Sequence, residues 1–521
     1  MKNLHFISAD HKTVARERIT HAGGVDVGDE IAFFTPFDYM FPRLARDPAS
    51  RIVENHKTID VLIELGQEMF EPTPAEPAYF DSETEAVFTY LGQFIDHDLT
   101  ARTDRDTALS DLDPPDLICR RDPDRIIVEL KNGRRPNFDL DSVYADGPLM
   151  VDTADQHGDT AGDRFGLFDS KLRMNVVDIA PNRIDIPRRD DGLSLIADGR
   201  NDENLNISQL HAAFLAFHNK VADGLPKALS ARSRFVRARQ LTRWAYQYLV
   251  VNEYLPKVCA PAVVEDTIAN GPRFFGHPAG RGDIFMPLEF SVAGFRFGHT
   301  MIRPEYQLND TQNRAIDKLL FPGRVNRFGN GADLLDPSTR VLNREFAIDW
   351  NRFVPDGTDP QMARVFDVNL AQGLKNLIFE DTNVDALKML PARNLLRGFS
   401  LSLPTGQAVA QAMGITPIDL NRFGPEHNPK VNAVLEHNDL RNRTPLWFYV
   451  LHESRVHTQG KTLGAVGSRL VCETIIGLLA SSSNSYLNNR HDPAVTEKGV
   501  KVTSSNTIAN ISDFLRFAGV F

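Results

Sequence analysis

Cysteine is scarce: three residues in 521, Cys119, Cys259 and Cys472, lie far apart in the chain. So few and so dispersed, they have neither the spacing of a metal cage nor the pairing of a disulfide framework, and they favour a reducing compartment. Long apolar runs are missing too. The best, Ile475 to Ala480, is far short of the roughly 18 residues that cross a bilayer. The opening stretch, Met1 to Lys12, lacks the apolar core of a secretory leader. Neither charge sign is blocked: 58 Lys and Arg are interspersed with 69 Asp and Glu, for a net charge of −11. Such a surface favours neither nucleic acid nor an anionic membrane as partner. Repeats and low-complexity tracts are absent, and alternating strand patterns are few. The expectation is a soluble, cytoplasmic protein with no nucleic-acid or membrane partner and an oligomeric state the sequence does not specify. Export by a signal-less route is the alternative.

What the chain does have is 42% hydrophobic residues, enough for a large core, arranged mostly at helical spacing. Helices are expected over 58–70, 84–102, 207–225, 232–258, 361–380, 382–390 and 445–456, with another running on from Gly467. Pro256 disturbs the last turn of the fifth segment's predecessor at 232–258. A Pro-rich loop follows at 72–77, and residues 103–195, rich in Asp, Pro, Gly and Arg, read as long irregular connections. The fold class is therefore mainly α, with long loops and little β-structure. Residues 1–57 read as an arm packed on the body, and length alone suggests roughly three domains.

The polar residues of interest fall in four short stretches. In 84–102, Gln93, Asp96 and His97 sit at i, i+3 and i+4, on one face of an apolar helix, where each needs a partner to be buried. Before the helix at 207 stand Arg200 and Glu203, three apart, in a segment that continues through Asn204, His211, His218 and Asn219. In Phe295-Arg296-Phe297-Gly298-His299-Thr300, a histidine lies among aromatics and glycines, where backbone can approach a flat ligand closely. In Leu390-Pro-Ala-Arg-Asn394-Leu-Leu-Arg397, Asn394 and Arg397 share a helix face, and an asparagine is a natural partner for the free nitrogen of a metal-bound imidazole. Taken singly, each is equally a hydrogen-bonded core group, a helix cap or a surface ion pair. A fifth stretch, Arg134 to Tyr144, alternates carboxylates at Asp139 and Asp141 beside Ser142 and forms either a hard-cation loop or a solvated acidic turn.

In chain order the set resembles the animal-type haem peroxidase (peroxidase–cyclooxygenase) superfamily, its bacterial members included, over roughly residues 58–485. The resemblance rests on Gln93-x-x-Asp96-His97-Asp98, Arg200-x-x-Glu203, Phe295-Arg-Phe-Gly-His299-Thr, Asn394-x-x-Arg397, and the C-terminal Thr444-Pro-Leu-Trp-Phe-Tyr449 and Gly464-Ala-Val-Gly-Ser-Arg-Leu-Val471. It implies that residues 58–521 form one large catalytic domain, because residues from Gln93 to Arg397 must converge on one haem b.

The roles it implies are as follows. His299 is the axial iron ligand, with Asn394 accepting from its other ring N–H. His97 is the acid–base for hydrogen peroxide, Arg200 stabilises charge developing on the peroxide oxygen, and Gln93 holds a distal water or small anion. Arg296 and Arg397 lie near the haem propionates. Asp96 and Glu203 match carboxylates that become esterified to haem methyls in mammalian enzymes. Asn204 stands where the strongest chlorinating relative has Met, which points away from chloride and toward bromide, iodide, thiocyanate or phenolic donors. Asp98, Asp139 and Asp141 match a calcium site only in part. Arg135 stands where Thr is expected and is placed to replace the cation, so one Ca²⁺ stays open. The alternatives are a fatty-acid dioxygenase of the same superfamily, in which Arg296 stands where a radical-forming Tyr belongs, and a haem-binding module without turnover.

Overall fold

The helix that carries Gln93, Asp96 and His97 owes its position to its apolar residues. Val87, Phe88, Leu91, Phe94 and Ile95 are all buried, so the helix is enclosed on nearly every side. In this computed structural model the described residues are 15–18, 31–72, 80–101, 118–144, 170–172, 174–178, 183–188, 192, 194–276, 284–319, 333–377, 385–421 and 429–521. α-Helices of eight residues or more among them are α1 (Thr58–Glu68), α2 (Val87–Leu99), α3 (Leu205–Gly224), α4 (Ala231–Leu249), α5 (Pro261–Asn270), α6 (Leu390–Ser400), α7 (Leu446–Thr458), α8 (Ala465–Ser481) and α9 (Ile511–Ala518), and Gly294–Met301 is a 3₁₀ helix of eight. Short two- to four-stranded sheets lie around them, and the class is mainly α.

Helix α2 is shorter than the span 84–102. Its N-terminal flank, Asp81–Glu85, is a strand paired antiparallel with Met362–Arg364, and Thr100 is already extended. Its neighbour α3 begins at Leu205, where Asn204 leaves the helical conformation and its side chain accepts from the Ile207 amide at 2.9 Å, an N-cap that satisfies one of the helix's orphan donors. Phe94 of α2 stacks on Phe214 of α3 with ring centroids 4.3 Å apart, and Phe214 meets Phe514 of α9 at 4.6 Å. Offset aromatic contacts of this kind add to the burial of large apolar area.

The run over 232–258 is continuous but not uniform. Helix α4 passes into a π-helical turn, Val250–Tyr254, and returns to α-helix over Leu255–Val258. Pro256 lacks an N–H and sits in the first turn of that last segment, so the wider turn absorbs it without a break. The helix expected over 361–380 does not form. Met362–Arg364 is a strand, Gln372–Lys375 is a single 3₁₀ turn, and between them the Asp367 carboxylate accepts from the Asn369 amide at 2.8 Å. Aspartate that satisfies nearby backbone in this way competes with helix formation. Of the helix expected at 382–390, residues 382–384 lie outside the described residues and Asp385–Lys388 is helical, before α6 begins at Leu390. Much of the irregular region 103–195 and most of the Pro-rich loop at 72–77 lie outside the described residues. Of the remainder, Pro123–Glu129 is helical and Asn175–Asp178 pairs with Arg183–Asp185.

The strand Ile31–Asp38 joins distant parts of the chain. It pairs antiparallel with Lys131–Asn132 and parallel with Met286–Pro287. Beyond it, the buried Glu289 carboxylate accepts from the Met40 and Phe41 amides at 2.8 and 3.0 Å. Phe37, Tyr39, Met40, Ala45 and Ile52 belong to the same buried apolar cluster as α2 and α3. No helix among the described residues is long and apolar enough to cross a membrane.

Helix α6, which presents Asn394, lies closely against α1. A Cβ added at Gly66 would stand 2.6 Å from the Ala392 backbone nitrogen and 2.7 Å from its Cα. Backbone cannot yield as a flexible side chain would. We expect Gly66→Val to cost about 1–3 kcal/mol through overpacking, read as a lower midpoint in urea unfolding, with Ala392→Gly in the same chain recovering part of the loss.

Candidate active site

A cavity of about 980 Å³ of atom-free space opens between α2, the turn before α3, the Tyr254 end of the π-helical turn and the segment Gly294–Met301. Gln93, Asp96 and His97 line it from α2, Glu203 and Asn204 from the turn, and Phe295, Arg296, Gly298 and His299 from the opposite segment. Ile302, Ile316, Leu374, Leu377 and Leu390 make the remainder largely apolar.

The two imidazoles are each held from behind. His97 Nδ1 lies 2.7 Å from Asn201 Oδ1, so Nε2 is the nitrogen turned to the cavity. Burial, with the nearby Arg200 charge, lowers the His97 pKa to about 4 against the pull of Asp198 and Asp96. His299 Nδ1 lies 2.9 Å from the Asn394 amide, and burial, with Arg296, lowers its pKa to about 3. Both rings are therefore neutral near pH 7. The Asn394 contact runs through Nδ2, whereas the expectation was an accepting Oδ1. The two amide orientations fit the same space, and the one with Oδ1 toward Nδ1–H leaves His299 Nε2 bare for a metal.

Gln93 is oriented by Asn204. The Asn204 Oδ1 is taken by the Ile207 N–H, and its Nδ2 donates to Gln93 Oε1 at 3.1 Å. With Oε1 occupied, Gln93 offers its Nε2 hydrogens to the cavity. Asp96 accepts from Arg296 Nη1 at 3.0 Å, an ion pair between the two walls. Burial alone would raise the Asp96 pKa, but Arg296, His97 and Arg200 together hold it below the usual value.

Arg200 is where sequence and structure part. It is not on the cavity lining. Its Nη2 donates to the His97 and Thr100 carbonyls at 3.0 and 2.6 Å, and Nε and Nη2 both bond Asp198. The reason is local: the C-terminal end of α2 exposes carbonyl oxygens that attract a cation, and Asp198 is beside it. Arg200 and Arg134 hold the Asp198 carboxyl well below the carboxylate range although burial opposes them. Arg397 likewise lies off the lining, one turn beyond Asn394 on α6, so neither arginine touches the cavity as expected.

The turn that carries Arg200 and Asn201 is anchored by a residue that sequence reading passed over. Arg188, fully buried, donates to Asp202 at 2.8 and 3.0 Å and to Asp185 at 2.8 and 3.1 Å. Asn201 was missed in the same way, and His211, named only as part of its segment, was given no role: Asn201 backs His97, His211 backs Asn201, and neither lines the cavity. No local signal marks them, since their contacts span 104 and 10 positions.

The loop at 134–144 is built around its carboxylates. Asp98 accepts from the Leu140 and Ser142 amides at 3.3 and 3.4 Å. Phe138 and Leu140 flank Asp139 in the left-handed region, φ 58° and 62°, a cost offset by the complete burial of both side chains. Arg135 Nη2 stands 3.2 Å from both Asp139 and Asp141. Burial, partly countered by Arg135, pushes the Asp139 pKa up to about 7. Among the described residues no group of three or more His, Cys, Asp or Glu side chains forms a metal cage.

Two neutral imidazoles on opposite walls, an apolar surround and a cross-cavity ion pair give this cavity the form of a two-sided haem pocket. The chain fits that group on a further count: a Cβ added at Gly298, beside His299 on the lining, would meet no atom within 4 Å, so the backbone there faces open space. The family model for animal haem peroxidase matches residues 168–436, and the chain belongs to that family. The matched stretch holds Arg200, Glu203, His299, Asn394 and Arg397, while Gln93 to Asp98 precede it. The chain is similar to the Homo sapiens thyroid peroxidase, 32% identical over 44% of this chain and 24% of that protein. It is also similar to the Drosophila melanogaster chorion peroxidase, 24% identical over 53% of this chain and 32% of that one, and to a peroxidase-like protein of Margaritifera margaritifera, 24% over 83% and 59%. The matches thus span less than two thirds of these curated relatives. Among solved structures, peroxidase A from Dictyostelium discoideum has a TM-score of 0.57 at 16% identity, covering 89% of this chain and 92% of that one. The Arabidopsis thaliana fatty acid alpha-dioxygenase has a TM-score of 0.55 at 13% identity, covering 94% and 78%. The fold is shared by both.

Arg135→Ala removes the guanidinium between two buried carboxylates, and we expect it to destabilise the protein by about 3 kcal/mol at pH 8. Uncompensated burial raises the folded pKa of Asp139 and Asp141 above the unfolded value, so the variant gains stability as they take up protons. Its deficit relative to wild type should therefore shrink between pH 8 and pH 5, as measured by urea unfolding.

Proposed function

We propose that this protein is a haem-dependent peroxidase that reduces hydrogen peroxide and oxidises small anions (bromide, iodide, thiocyanate) or phenolic donors. The observation that carries the reading is the pair of neutral imidazoles on opposite walls of one cavity, each with its Nδ1 held by an asparagine. Haem held by His299 Nε2 would supply the redox-active iron that takes up the two oxidising equivalents of hydrogen peroxide and passes them to the donor. Asn394 fixes the His299 ring, and Gly298 leaves room for the macrocycle. On the facing wall, His97 Nε2 accepts a proton from the peroxide oxygen and returns it to the leaving oxygen. Gln93 Nε2 donates to the same molecule and orients it. Arg200 acts through its field rather than by contact: held against the C-terminal end of α2, its charge adds to burial in keeping His97 neutral and lowers the energy of negative charge nearby. Asp96 and Glu203 both line the cavity and would be the carboxylates that form ester links to the haem.

The Arg135 guanidinium, we infer, takes the place of a calcium ion among Asp98, Asp139 and Asp141, so that no bound Ca²⁺ is needed. The three cysteines are unpaired, which supports a cytoplasmic setting. The apolar lining and the structural likeness to fatty acid alpha-dioxygenases sustain a second reading, oxygenation of a fatty acid. Oxygen uptake on adding palmitate to the haem-loaded protein would support it over the first.

In haem-supplemented preparations, stopped-flow mixing with peroxide tests the main reading. His97→Ala should slow the peroxide reaction by about 10²–10⁴-fold while the Soret band persists. Unchanged turnover in that variant would sink the mechanism and favour a haem-binding module without turnover. Because the His97 pKa is lowered to about 4, its base form survives as pH falls through 6.5. The wild-type rate should hold down to about pH 5 and drop as pH nears 4. After peroxide treatment, extraction with acidic organic solvent should leave part of the haem on the wild-type chain and less on Asp96→Asn with Glu203→Gln. Complete release from wild type would refute ester formation.

A further inference from the structure

Behind His97, away from the cavity, three buried side chains stand in line. His97 Nδ1 is 2.7 Å from Asn201 Oδ1, and Asn201 Nδ2 is 2.9 Å from His211 Nδ1. Asn201 and His211 are wholly buried, and Phe94 packs against the His211 ring. An amide has one accepting and one donating end, and a neutral imidazole has one nitrogen of each kind. The line therefore dictates where its protons sit. With Oδ1 toward His97, that ring carries its proton on Nδ1 and a lone pair on Nε2, while His211 accepts at Nδ1 and carries its proton on Nε2.

Turning the Asn201 amide by half a turn satisfies the same two contacts in reverse. His97 then accepts at Nδ1 and presents an Nε2–H to the cavity, and it is no longer a base there. The choice between these states is thus made by one amide, and the far end of the line bears on it, because His211 Nε2 is buried without a hydrogen-bond partner among the described residues. Once His97 holds a second proton, only the first arrangement remains, since an imidazolium donates at both nitrogens. The groups around this line are Asp96 on the same helix as His97, Asp198 and Arg200 on the turn before α3, and His211 on α3 itself.

We propose that Asn201, braced by His211, is a positioning residue that sets the tautomer of His97 and so decides whether the cavity wall presents a base or a hydrogen-bond donor. This rests on the peroxidase reading for its catalytic meaning, but not for its structural content. Asn201 touches neither the cavity nor any ligand in it. The backing also explains why the turn is so firmly held: Asp202, next in the chain, is clamped by the buried Arg188.

The test uses the full chain labelled with ¹⁵N-histidine, without haem and as the diamagnetic ferrous carbonyl form, with tautomers read from long-range ¹H–¹⁵N correlation spectra. His97→Gln and His211→Gln assign the two rings. Wild type should show His97 protonated on Nδ1 and His211 on Nε2. Asn201→Leu, with similar bulk and no polar end, should leave His97 in a mixture of tautomers and slow the peroxide reaction by about tenfold or more, as tautomer loss does in other acid–base sites. Asn201→Asp accepts from both sides, so it should keep His97 protonated on Nδ1, move the His211 proton from Nε2 to Nδ1, and restore most of the rate. The proposal is overturned if His97 in the Leu variant keeps the wild-type tautomer, or if His211 in the Asp variant does not change. Should the Leu variant fail to fold, the His211 switch in the Asp variant decides alone. A wild-type chain that shows the expected tautomers yet does not react with peroxide would remove the peroxidase reading and leave this inference standing.

Discussion

Desolvation of the cavity imidazoles is the constraint on which the rest of this site depends. A buried histidine is driven to its neutral form, and a neutral ring has one donor and one acceptor that must both be accounted for. Carboxylate partners would pull the rings toward the charged form. Amides do not, and both His97 and His299 are backed by asparagine. The carboxylates that do lie nearby are spent elsewhere: Asp96 on Arg296 across the cavity, Asp198 on Arg200 and Arg134.

This arrangement needs rigid backing, because an amide set at 2.7 Å from a ring nitrogen orients it only if its own backbone is fixed. The turn before α3 gets that rigidity from ion pairs rather than from packing. Arg188 bridges Asp185 and Asp202, and Arg200 ties Asp198 to the end of α2. The opposite wall is held differently. Glu289 grips the Met40 and Phe41 amides, and α6 lies against α1 at Gly66. One wall is thus secured by ion pairs and the other by a carboxylate on backbone amides and by close backbone approach. Salt and pH should act on the two walls unequally.

Much of this was legible in the sequence, for stated reasons. The i, i+3, i+4 spacing of Gln93, Asp96 and His97 places them on one helix face wherever the helix packs, and that face lines the cavity. His299 among glycine and aromatics, and Asn394 beside it, were legible as a motif. What the sequence did not reveal are properties of partners. Arg200 has the residue type for contact with a ligand, but helix-end carbonyls and Asp198 claim its donors. Asn201 and His211 look like ordinary helix-start residues until the fold sets them behind His97. The helix expected at 361–380 failed because local side-chain-to-backbone bonds at Asp367 and pairing with Asp81–Glu85 outcompete helical spacing.

Asn204 does two unrelated jobs with one side chain. Its oxygen caps α3 and its nitrogen holds Gln93. Aspartate caps a helix as well as asparagine does, yet it has no hydrogen to give Gln93, and the freed glutamine could then turn an acceptor toward the cavity. A selection for thermal tolerance alone would treat the two residues as interchangeable, whereas a selection for ligand preference would not. Libraries that vary position 204 therefore separate the two pressures, and a drifting lineage can change what the pocket admits without disturbing the helix it caps.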